Sequence, residues 1–116
     1  MGGRMILLTA LSLSACAQAD VTPNEVDAGS VSRGRIAAEK LGCGACHAIP
    51  EIWPKGTTGP SLEKFAQRGM IAGKLANRPD ALAAFLLDPS GTAMPRQPMS
   101  AQTAADIAAF LHADAE

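Results

Sequence analysis

The stretch Gly42-Cys43-Gly44-Ala45-Cys46-His47 restricts this chain more than any other, because its 116 residues hold only three cysteines and two histidines in all. Two thiols and an imidazole packed so closely must serve one chemistry. The composition adds a second constraint. The hydrophobic fraction is 47%, but much of it is alanine, and the large rings are three Phe and one Trp, with no Tyr. A chain of this length makes one domain. One so poor in bulky side chains builds a thin core that something other than protein has to fill. Ten basic residues against eleven acidic ones give neither a nucleic-acid signature nor a large field of one sign.

The N-terminus has a different character. Arg4 is followed by an apolar run from about Met5 to Leu13 and then by small residues, the layout of a secretory signal. The run is about half of what spans a bilayer. Leu13-Ser14-Ala15-Cys16 resembles the bacterial lipobox, in which the cysteine is lipidated and becomes the mature N-terminus. Ala17-Gln18-Ala19 offers the alternative of soluble release at Asp20. The expected organisation is a signal peptide over 1–15, a lipid-bearing Cys16 opening a flexible tether over 16–32, and a folded domain over 33–116. The tether lacks aromatics and mixes Pro, Gly, Ser, Asn and acids, so it cannot bury enough apolar surface to fold. About fifteen such residues span roughly 20 Å. Either cleavage exports the protein, and acylation would anchor it at the periplasmic membrane.

Export narrows the meaning of Cys43 and Cys46, since an oxidising compartment favours a disulfide between spare thiols. Four readings compete. A thioredoxin-like redox pair needs a βαβ framework, and no β-branched alternation is present. A disulfide between residues three apart closes too small a loop to stabilise much. A zinc site needs four ligands, and beyond Cys43, Cys46 and His47 only the distant His112 is left. The fourth reading is covalent haem c. The C-x-x-C-H pattern is its attachment signature: the two thiols take the porphyrin vinyl groups and His47 takes the iron. That reading uses every residue of the cluster.

With that cluster in hand, residues 33–113 resemble the small monohaem class I c-type cytochromes. Besides the CGACH run, Gly34-Arg35-Ile36 looks like the start of their first helix and Thr58-Gly59-Pro60-Ser61-Leu62 like their T-G-P-x-L segment. Thr92-Ala93-Met94-Pro95 looks like their methionine loop, and Asp106 to Leu111 like their last helix. The resemblance implies an all-α fold of three main helices and loops wrapped around one covalent haem. It implies Met94 as the second axial ligand to iron, with Met99 as the rival and Met70 and His112 behind it. The Pro60 carbonyl would accept the His47 Nδ1–H, Leu62 would pack on the His47 side, and Arg68 would pair with a propionate or lie solvated. Trp53 would donate to a propionate or pack over the haem. Only four residues separate Pro89 from Met94, a tighter loop than many relatives have, and this keeps Met99 in contention.

Residue patterns alone agree with the helical expectation. Val31 to Leu41 reads as a helix stopped by Gly42. Pro79 fits a first helical position, with Leu82, Phe85 and Leu86 at helical spacing until Asp88-Pro89. Ser100 can cap a helix from Ala101 to about Ala113, with Ala104, Ile107, Phe110 and Leu111 on one face. Alanines and Gly34 would let the first and last helices cross closely. No strand is expected. Two axial ligands close the iron to substrate, so the expected function is a non-enzymatic one-electron carrier between periplasmic or membrane redox partners. The alternatives are a fixed haem subunit of a larger dehydrogenase or terminal oxidase, and an open-site haem enzyme or gas sensor. Lys55, Lys64, Arg68, Lys74 and Arg96 are expected to form a basic rim that docks acidic partners.

Overall fold

A computed structural model describes residues 27–113, so the signal, Cys16 and most of the tether lie outside the described residues. Three helices carry the fold: α1 over Ala28–Lys40, α2 over Pro79–Leu87 and α3 over Ala101–His112. A small antiparallel hairpin, β1 at Met70–Ile71 and β2 at Leu75–Ala76, joins them, and the regular structure is mostly helical.

α1 starts earlier than expected, inside the stretch read as tether. Asp27 is the reason. Its carboxylate accepts the Ser30 N–H at 2.7 Å, while the Ser30 hydroxyl donates to the Asp27 carbonyl at 2.8 Å. That satisfies donors a helix start otherwise leaves open. The other end matches the reading: Leu41 closes the helix and Gly42 follows at φ 74°, a conformation that suits glycine. α2 begins with Pro79 at its first position, and α3 is capped by Ser100, whose Oγ accepts the Thr103 N–H at 3.1 Å.

The hairpin corrects the expectation that the chain has no strand. Its turn places Ala72 at φ 51° and Gly73 at φ 68°, and the Lys74 N–H closes it on the Ile71 carbonyl at 3.0 Å. Two consecutive left-handed residues belong to the turn type that matches strand twist. Strands two residues long are too short to show alternation, and the turn lacks the usual Asn-Gly.

α1 and α3 cross at the centre. A Cβ on Gly34 would overlap the Asp106 carbonyl and lie 2.8 Å from the Phe110 Cβ, so only glycine permits this approach. Arg33, one residue away, clips the crossing: its Nε and Nη2 donate to the two Asp106 carboxylate oxygens at 2.9 and 3.1 Å. Asp106 is buried at 5% exposure, and Gln102 supplies a further donor at 3.1 Å. The Arg33 bonds are the main cause holding the Asp106 carboxyl below its usual range. Around the crossing lie Ala38, Ile49, Ile52, Ile71, Ala104 and Ile107, all nearly inaccessible.

Candidate haem-binding site

The Cys43–Ala45 segment is a single 3-10 turn, and the Cys43 carbonyl accepts from the N–H of both Cys46, at 3.3 Å, and His47, at 3.0 Å. One turn of backbone therefore sets the spacing of two free thiols and an imidazole. Gly44 is buried under the Trp53-Pro54 backbone: a Cβ there would lie 2.6 Å from the Pro54 carbonyl oxygen. The two thiols differ in setting. Cys46 is exposed, while Cys43 is partly buried against the core, and desolvation is the main cause that pushes its thiol pKa up.

His47 is held from the far side of the chain. Its Nδ1 lies 2.7 Å from the Pro60 carbonyl oxygen. A carbonyl can only accept, so Nδ1 carries the hydrogen and Nε2 keeps a lone pair. The Gly59 N–H donates to the Cys46 carbonyl at 2.7 Å and the Leu62 N–H to the Ala48 carbonyl at 2.8 Å, which lays the 59–62 strip along the histidine. Gly59 is needed for fit: a Cβ there would sit 2.5 Å from the imidazole Cε1.

His47 and Cys46 line a cavity of about 540 Å³, which also borders Pro60, Leu62, Arg68 and Met94. Its remaining wall is chiefly apolar and includes Phe65, Ile71, Leu82, Phe85 and Leu111. A void of this size falls in the range of small-molecule and cofactor sites. The donors on the lining are one imidazole with a free nitrogen, the thioethers of Met70 and Met94, and the Cys46 thiol, with the Cys43 thiol one turn away. Imidazole and sulfur donors suit a haem iron, and thiols suit covalent attachment. The residues present therefore fit the expected cofactor, although Cys43 packs against the core and is not part of the lining.

The competing ligands separate. Met94 borders the cavity, whereas Met99 packs half-buried against the core and does not. Met70 also borders it, from the rim, at 52% exposure. His112 has no nitrogen to spare: Nδ1 lies 2.7 Å from the Ala108 carbonyl oxygen and Nε2 2.9 Å from Asn77 Oδ1. Its ring stands edge-on to Phe65, with centroids 5.5 Å apart. Asn77 in turn donates to the Phe65 and Arg68 carbonyls at 2.8 and 3.0 Å. Sequence reasoning missed Asn77, and a lone Asn in a loop gives no signal for such a role.

Arg68 is exposed at the cavity edge, where it donates to the Ser61 carbonyl and lies 6.0 Å over the Phe65 ring. Trp53 stands apart from the cavity lining, at 78% exposure. The expected basic rim also shrinks. Lys55 faces Glu63 at 4.0 Å and Arg96 pairs with Asp88 at 3.2 Å. Among the described residues the cations without an ion pair are Lys40, Lys64, Arg68 and Lys74, of which Arg68 and Lys74 border the cavity.

No helix among the described residues is long and apolar enough to cross a membrane. No protein-family model matches the chain, and no solved structure matches it. Over 86 residues it is 35% identical to cytochrome c oxidase subunit 2 of Alkalihalophilus pseudofirmus. The aligned stretch is 69% of this chain but 24% of that protein, so the chain spans about a quarter of its relative's length.

Proposed function

We propose that the chain is a small class I c-type cytochrome that holds one covalent haem c and carries single electrons between redox proteins. The observation that carries this reading is the shared cavity. His47, with its Nδ1–H on the Pro60 carbonyl, and Met94 border the same apolar space as a thiol of the CxxCH turn. When bound, the haem supplies an iron that cycles between ferrous and ferric states. Cys43 and Cys46 would hold the haem covalently through their sulfurs. His47 offers Nε2, and its bond to Pro60 orients the ring and raises its basicity. Met94 would offer a neutral sulfur, a donor that favours ferrous iron and raises the potential. Leu62, Phe85 and Leu111 would keep water away, and Arg68 would neutralise a propionate. With His47 and Met94 both holding the iron, no position would be left for a substrate, and the protein would perform no bond chemistry of its own.

The similarity to an oxidase subunit supports a redox role and favours one second reading, a haem subunit fixed in a larger terminal oxidase. Co-purification with such a complex through high salt would mark that reading, and a freely exchanging monomer would mark the shuttle. The N-terminal signal pattern and Cys16 support export and a lipid anchor at the periplasmic face. The axial assignment is tested by the optical spectrum of the oxidised holoprotein. A weak far-red band from methionine sulfur on ferric haem is expected, and Met94→Ala should abolish it while Met99→Ala and Met70→Ala retain it. Absence of the band, with carbon monoxide binding to the reduced protein, would open the iron and favour an enzyme or gas sensor.

A further inference from the structure

We propose that Thr92 is a positioning residue for Met94, fixing the backbone that presents the thioether; the inference rests on Met94 being the axial ligand. The Thr92 hydroxyl donates to the Pro89 carbonyl at 2.7 Å and accepts the Met94 N–H at 3.2 Å. One hydroxyl has one hydrogen and two lone pairs, so both bonds form together. The Thr92 N–H adds a third tie, to the same Pro89 carbonyl at 3.2 Å. Four residues of loop are thereby closed into a bridged turn directly before the methionine.

Methionine needs such a device more than other ligands do. Its side chain is unbranched with three rotatable bonds, and its sulfur is neutral and makes a soft bond. Little in the side chain fixes where the sulfur sits, so the backbone must. Thr92 holds the N-terminal side of Met94, and Pro95 biases Met94 to extended backbone from the other side. The outer ties of this loop are exposed and longer: Ser90 N–H to Asp88 Oδ1 at 3.3 Å and Lys74 Nζ to the Gly91 carbonyl at 3.3 Å. Thr92 and Met94, by contrast, are half-buried, so a Met94 N–H deprived of Oγ1 would have to turn toward water and carry the side chain with it.

The test uses haem-loaded protein, with added imidazole competing against Met94 for ferric iron and amide exchange of the Met94 N–H read by NMR. Thr92→Val keeps the shape and removes both hydroxyl bonds. It should raise apparent imidazole affinity about fivefold, the effect of one net hydrogen bond, and speed Met94 amide exchange severalfold. Thr92→Ser should restore both to near the parent values, which a general packing defect would not allow. In a Met94→Ala background, Thr92→Val should leave imidazole affinity unchanged. Thr92→Val indistinguishable from the parent in both readouts would overturn the inference, and so would an affinity change that persists without Met94. Equal imidazole affinity in the parent and in Met94→Ala is a separate result: it would overturn the ligand assignment and the inference with it.

Discussion

At the residue scale, the site turns on what surrounds one imidazole. The carbonyl of Pro60 decides which nitrogen of His47 carries hydrogen, and the missing side chain of Gly59 leaves room for the ring. Gly59→Ala should therefore displace His47 and cost about 2 kcal/mol or more of stability, the scale of overpacking, read by denaturant unfolding. It should also change the ferric spectrum, which a mutation remote from the ligand would not. Much of this site is legible in the sequence: Cys43, Cys46 and His47 from their spacing alone, Pro60 and Met94 from the motifs around them. Gly59 is legible only in three dimensions, because its reason is a ring that arrives from twelve residues upstream. Trp53 was less legible. A lone large ring in a chain with few of them invites a buried role, yet it stands 78% exposed. Nothing in its local sequence distinguishes a core-facing from a solvent-facing loop position.

At the element scale, the crossing of α1 and α3 carries the fold, and two changes test it. Gly34→Ala must push the helices apart at the Asp106 carbonyl, so it should destabilise by about 3 kcal/mol or unfold the apoprotein. Asp106→Asn removes the carboxylate that Arg33 and Gln102 bind. Because the folded-state pKa of Asp106 is depressed, its stabilising contribution is full above the unfolded value of about 4 and is lost as pH falls through the folded value. Asp106→Asn should thus lower the melting temperature at pH 7 and converge with the parent in acid. A constant difference across that range would contradict the assignment. The helices were readable because Pro79, Ser100 and Gly42 punctuate them and apolar spacing fills them. The start of α1 was not, since Asp27-Ala28-Gly29-Ser30 looks like linker until Asp27 is seen capping Ser30. Nor was the Arg33–Asp106 clip, which joins residues 73 apart in sequence.

At the scale of the whole molecule, charge and attachment decide what the protein can do. Ion pairing leaves Arg68 and Lys74 as the cations that border the cavity without an acidic partner among the described residues. Electron exchange with an anionic metal complex should slow as ionic strength rises. Lys74→Glu should slow it further, whereas Lys40→Glu should have a smaller effect; equal effects would contradict a basic cavity edge. The sequence held these charges but not their pairing, so Lys55 and Arg96 entered the expected rim although Glu63 and Asp88 neutralise them. The claim beneath all of this is that Cys43 and Cys46 bind haem covalently. It is tested most directly by the intact mass of the denatured protein after expression with haem-attachment machinery. One haem retained through unfolding and acid extraction, and lost only when both cysteines are replaced, is the predicted result. A protein that gives up its haem on denaturation, or whose two cysteines are found joined as a disulfide, would contradict it.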